Sequence, residues 1–371
     1  MVKQMQKIFL VFLIPVLIIS AFTACNDPVF FTISTEVPVV PALIDGSPTN
    51  FVELDNRVYV ASGESIFRYN GEWTRDNDLI IPGGKIMSLA ATNTALYALC
   101  LNGSTTRLKE TKNAQSAKPE WKDTGGTGLN IQAVFAVGNE LIISSVSANY
   151  ESYAVHRINT LNNAVTQITG MESVSEFRGA AFNGTTYYLC TNDGIYTSDL
   201  VTASMISGST GKSFMGIINL GSDIAAIARN GDLYSVNDLS KAKVSFPNTR
   251  RLATGALALW SRDGVNLLLV GAMDSYYSTN SGYEYGYMEI ELAGGSINPN
   301  KGYERPGLNP SLSTVDNPER FTNTIGKTPV NHIYQPSPSL NLGGTLIFAS
   351  TNSGVWSYRE RNDEWQWNAE E

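Results

Sequence analysis

The 371-residue sequence holds only three cysteines and two histidines. No zinc-ligand or redox spacing can be built from so few. A histidine-dependent triad or metal site would have to use His156 or His332, and both read as hydrogen-bonded strand residues. No metal or cofactor is therefore expected. Charge is also sparse, at 16% of residues with a net of −8, and no basic cluster exceeds Arg250-Arg251. Binding to phosphate backbones needs a basic face, so a nucleic-acid partner is argued against. One phosphate-loop lookalike, Gly208-Ser209-Thr210-Gly211-Lys212-Ser213, has Ile206 where that pattern needs glycine. A strand-like run, Ser213–Ile218, follows it instead of a helix.

Apolar runs of membrane length are absent too. The longest, Ile8 to Phe22, follows Lys3 and Lys7 and is shorter than the roughly twenty residues a spanning helix needs. A basic start and a short apolar run make a secretory signal. It ends in Phe22-Thr23-Ala24-Cys25, directly before the polar Asn26-Asp27. These residues resemble the lipobox of bacterial lipoproteins, with Phe22 where leucine is most common. The resemblance implies removal of residues 1–24, a lipid on Cys25, and attachment of the chain to a membrane of the cell envelope.

What is abundant is Gly, Ser, Thr, Asn and Tyr, a mixture suited to strands and tight turns. Short β-type runs begin at Val58, Leu96, Leu141, Tyr187, Ile224, Leu267 and Leu346, at intervals of 38, 45, 46, 37, 43 and 79 residues. A shorter apolar strand and a turn such as Asp55-Asn56 or Asn183-Gly184 precede several of them. A third strand follows in Ser65–Tyr69, Gly194–Ser198, Asp232–Ser235 and Gly354–Tyr358, and Glu72-Trp73 and Glu364-Trp365 open a fourth. Three or four antiparallel strands at a period near 40–45 residues are the signature of a propeller blade. The sequence thus predicts an all-β β-propeller of seven blades of short antiparallel strands. Seven of the fifteen prolines fall between Pro299 and Pro338, so the last long interval reads as a proline-rich insertion near 293–329 and not as an eighth blade. The domains are then a signal peptide (1–24), a lipid-anchored linker (25–50) and the propeller (51–371). Within the linker, the β-run Val29–Ser34 is expected to close the ring against the edge of the last blade.

The phrases Thr191-Asn192-Asp193-Gly194-Ile195-Tyr196 and Thr351-Asn352-Ser353-Gly354-Val355-Trp356 resemble the turn and strand of two kinds of propeller repeat. One belongs to the sensor domains of two-component regulators, the other is the Asp-box of sialidase-like proteins. In those families the turn is a fold device. Cys100 and Cys190 occupy the same place in repeats two and four, so both are expected as buried free thiols.

Candidate binding residues cluster beside the insertion. Tyr276, Tyr277, Tyr283, Tyr285, Tyr287 and Tyr303 lie among Ser, Gly and Asn, a composition enriched in binding surfaces. His332 sits on a predicted innermost strand and could face a ligand in the axial channel. The function expected is a membrane-anchored, non-enzymatic binding or scaffold lipoprotein that presents its ring to a protein or glycan. The alternative is a propeller-type hydrolase or lyase acting on polysaccharide, for which Asp263, Asp274, Glu284 and Glu289 are candidate acids. That reading needs acids and arginines converging at the axial opening.

Overall fold

Tight turns set the hairpins of this chain, which we describe from a computed structural model. Residues 43–116, 119–126, 128–147, 152–246, 252–262, 264–273, 286–303, 325, 328–340, 346–361 and 364–370 are described. Asp55 and Asn56 take φ of 51° and 57°, the geometry of a two-residue hairpin turn. They join β1 (Val52–Leu54) to β2 (Arg57–Ser62), with Leu54 opposite Arg57. β3 (Ser65–Tyr69) and β4 (Trp73–Asp76) complete a four-stranded sheet in chain order.

Six more antiparallel sheets follow, each built from consecutive strands. Blade two is β5 (Lys85–Ala91), β6 (Leu96–Asn102), β7 (Thr105–Thr111) and β8 (Lys122–Asp123). Blade three is β9 (Ile131–Val137), β10 (Glu140–Val146), β11 (Tyr153–Ile158) and β12 (Val165–Gln167). Blade four is β13 (Phe177–Phe182), β14 (Tyr187–Thr191), β15 (Ile195–Ser198) and β16 (Ala203–Met205). Blade five has three strands, β17 (Phe214–Asn219), β18 (Ile224–Ala228) and β19 (Leu233–Ser235). A single bridge from Leu233 to Val244 marks where its fourth would lie. Blade six is β20 (Leu252–Arg262), β21 (Val265–Met273), β22 (Tyr287–Ala293) and β23 (Ser296–Ile297). Blade seven is β24 (Val330–Tyr334), β25 (Ile347–Thr351), β26 (Gly354–Arg361) and β27 (Glu364–Ala369). The protein is a seven-bladed β-propeller.

The apolar runs that recur in the sequence are the second strands. Each is covered on both faces by neighbouring blades, so both faces must be apolar; every residue of β18 and β25 is buried. The core accordingly divides into seven clusters, one at each interface between blades. Alternation along β2 shows the rule. Val58 and Val60 pack towards blade seven, and Tyr59 and Ala61 towards blade two. Among the described residues the ring closes without exchanging a strand, because blade seven draws its four strands from the C-terminal segment. Closure rests instead on an aromatic cluster in which Trp73 and Tyr69 meet Phe348 edge-on at 5.0 and 4.8 Å. Ile44, wholly buried, joins the same cluster. Its carbonyl accepts the Val355 amide (3.3 Å), while the Leu43 amide donates to the Glu370 carbonyl (2.9 Å). Val29–Ser34 lies outside the described residues.

Two sequence expectations change in detail. The stretch read as an insertion begins with β23, the outer strand of blade six, and Ser222 of blade five holds it through the Gly294 carbonyl (2.7 Å) and Ser296 (3.1 Å). Cys100 and Cys190 are free and buried, but they are not equivalent. Cys100 pairs with Ile86 before the bulge in β5, whereas Cys190 pairs with Gly179 after the bulge in β13. That one-residue offset turns them to opposite faces: Cys100 packs towards blade one and Cys190 towards blade five.

Candidate functional site

The innermost strands carry a repeated irregularity. In β5, β9, β13, β17 and β24 one extra residue is inserted near the start of the strand: Met87 at the third position of β5, and Gln132, Arg178, Met215 and Asn331 at the second position of the others. β20 carries a wider bulge between Ala253 and Leu257. Bulges re-aim side chains at the rims of closed sheets, and here they sit where the inner strands begin. Two of the extra residues meet the Thr-Asn-x-Gly turns. Arg178 Nε donates to Asn192 Oδ1 (3.2 Å), and Asn331 Nδ2 donates to Asn352 Oδ1 (2.9 Å). Within each turn the threonine hydroxyl donates to the glycine carbonyl, at 3.0 Å in Thr191–Gly194 and 3.1 Å in Thr351–Gly354. The shared phrase therefore shapes the hairpin, and its asparagine steadies the rim.

At the opposite rim, where the inner strands end, the turns of blades seven, one and two enclose a polar cleft of about 560 Å³. Glu53 and Asp55 come from blade one, Thr92 and Asn93 from blade two, and Tyr334 and Gln335 from blade seven. Glu53 Oε2 accepts the Tyr334 hydroxyl (3.1 Å) and the Ser337 amide (2.9 Å). Burial first, and the Glu53 carboxylate second, hold the Tyr334 phenol above its ordinary pKa, so it stays a donor. Neither Lys nor Arg is among the described residues that line the cleft.

The residues singled out from sequence fall in several places. Cys25, Tyr276, Tyr277, Tyr283 and Tyr285 lie outside the described residues, as do Asp263, Asp274 and Glu284. Tyr287 is only 2% exposed and cannot present its ring at a surface. Alternation in β22 turns it into the interface with blade seven, where its hydroxyl accepts Trp367 Nε1 at 3.0 Å. Tyr303 is half-buried, stacked edge-on against Phe246 at 4.6 Å. Glu289 is buried as well, gripped by both terminal nitrogens of Arg262 (3.0 and 2.7 Å); it is one half of an interior ion pair. His332 does sit on the innermost strand of blade seven, half-buried. Burial pushes its imidazole down to about 4, so it is neutral at pH 7. His156 is buried on β11, 2.9 Å from the Ser145 hydroxyl. Among the described residues no group of three or more His, Cys, Asp or Glu side chains is placed to hold a metal.

Comparison with known proteins agrees with the fold. An uncharacterized lipoprotein of Treponema pallidum (strain Nichols) is 23% identical over 410 aligned positions, covering 95% of this chain and 97% of its own. An ancestral GH74 enzyme superposes with a TM-score of 0.57 at 14% identity, over 90% of this chain and 47% of that one. The extracellular domain of a putative hybrid two-component system from B. thetaiotaomicron gives 0.53 at 13% identity, over 86% and 38%. This chain thus spans less than half the length of either solved structure, and at such identities the likeness concerns the fold alone. A profile of one lipoprotein family, in contrast, matches residues 2–355, nearly the whole sequence. The chain belongs to the TP013X lipoprotein family.

Proposed function

We propose that the protein is exported, cleaved before Cys25, lipidated there and held on an envelope membrane, where its ring is a non-enzymatic binding scaffold for a protein or glycan. Family membership and the lipobox-like run ending in Cys25 support the anchor. The observation that carries the binding role is the rim cleft. It is built from turns of three consecutive blades, on a frame closed by seven packed interfaces. A cleft lined by Glu53, Asp55, Asn56, Asn93 and Gln335 offers many acceptors, which suits a ligand rich in hydroxyl, amide or amine donors. Glu53 is already held by two donors from blade seven. A carboxylate so occupied is held in place as an acceptor.

The test is site-specific photocrosslinking in intact cells. A crosslinking residue at Asn93, on the rim, should capture a discrete adduct. The same residue at Leu161, 90% exposed and away from the cleft, should capture none. No adduct, or the same adducts from both positions, rejects the rim as the binding site.

A further inference from the structure

Among the described residues, blade two leaves its outer edge unfinished. β7 runs for seven residues, but β8 pairs with only two of them, Lys109 with Asp123 and Glu110 with Lys122. One more bond, from the Thr124 amide to the Leu108 carbonyl (3.0 Å), ends the ladder. Leu108 therefore points its main-chain groups outward, and so, two residues earlier, does Thr106. Beyond Thr124 the chain leaves the edge through the glycine turn Gly125-Gly126. Gly125 is forced: a Cβ there would lie 2.1 Å from the Asn163 carbonyl oxygen of blade three. Gly125 thus lies directly against the next blade.

The gap this leaves is a cavity of about 490 Å³, lined on one side by Ser104–Leu108 and on the other by the glycine turn and Asn130. Thr124, also in its lining, is 5% exposed, and its hydroxyl has no hydrogen-bond partner. A buried hydroxyl without a partner is costly. No aromatic ring is among the described lining residues, so a sugar face would find nothing to stack on. The open span from Thr105 to Leu108 is about 13 Å, at roughly 3.3 Å per residue.

We propose that this cleft between blades two and three is a docking site for an extended peptide of about four residues, which adds to the β7 edge as an extra strand and bonds to the main chain of Thr106. The proposal rests on the binding-scaffold reading and names the class of partner, at a second site on the ring.

The probe is a display library of random linear decapeptides, selected on the detergent-solubilised full-length protein. Enriched sequences are then made as capped peptides. They should slow amide hydrogen exchange at residues 104–108 in the wild-type protein. Thr106→Pro removes the edge-facing N–H, which an outer strand tolerates, together with the hydroxyl's bond to Asn130 Oδ1 (3.3 Å), and should weaken peptide binding at least tenfold with the melting temperature nearly unchanged. The exchange map needs no variant, so it decides the matter even where Thr106→Pro lowers stability. Failure of any sequence to enrich, protection elsewhere than 104–108, or equal binding by a stably folded Thr106→Pro overturns the proposal. The Asn93 adduct is a separate readout: its presence in Thr106→Pro leaves the rim reading standing when this one falls.

Discussion

Truncating Ile44 to alanine should unfasten the ring at its seam. Ile44 is fully buried in the cluster between blades one and seven, and its main chain is bonded to blade seven, whose strands all come from the other end of the propeller sequence. Three carbons are lost, about 2.4 kcal/mol at ~0.8 kcal/mol per buried CH₂. The residual cavity brings the total to about 3 kcal/mol, inside the usual 2–5 for such truncations. The propeller comprises 330 residues, Ala42–Glu371. With an unfolding entropy near 2.1 cal/mol/K per residue, that loss lowers the melting temperature by about 4 °C. Scanning calorimetry of the full chain in detergent measures it. Leu161→Ala deletes the same kind of side chain at a 90% exposed position and should move the transition by less than about 1 °C. A shift at Ile44 no larger than that at Leu161 would refute the closure described here.

Glu289→Ala strands the Arg262 guanidinium in the interior between blades six and seven, at a cost of about 3–5 kcal/mol in urea unfolding; the double variant Arg262→Met/Glu289→Leu should recover most of it. His332, held down to about 4 by burial, favours the folded state only while neutral. Its contribution is complete above about pH 6.5 and is lost as pH falls towards 4, amounting to about 2 kcal/mol between pH 7 and 5. His332→Asn should flatten the pH dependence of the urea midpoint by that amount, and an unchanged slope contradicts the burial argument. Burial lifts the Cys100 and Cys190 thiols to about 11 and 12. Both should resist iodoacetamide at pH 8 in the native protein and both alkylate in urea without reductant, as mass spectrometry will show.

The blade count was legible in the sequence because the second strands are apolar on both faces. Runs such as Leu96–Cys100 and Ile224–Ala228 therefore stand out against polar turns. The first strands were also placed correctly where a turn followed, as with Asp55-Asn56, but their bulges were not. An inserted residue leaves the alternation looking ordinary, and this is why Cys100 and Cys190 appeared equivalent. Tyr287 misled for a related reason. Composition marked its neighbourhood as a surface, whereas its register in β22 turns it towards Trp367. The rim cleft was out of reach of a linear reading. Its parts stand at residues 53–56, 91–93 and 334–337, each an unremarkable turn until the ring brings them together. The shared signal is position, since each segment ends an innermost strand.

The anchor remains the claim on which the cellular role depends, and the mass of the mature N-terminal peptide tests it most directly. Protein purified from membranes of cells fed labelled palmitate should begin at Cys25 and carry the label there, and Cys25→Ser should lose both label and membrane association. A mature chain with an unmodified Cys25, or a Cys25→Ser variant that keeps the label, would contradict the account.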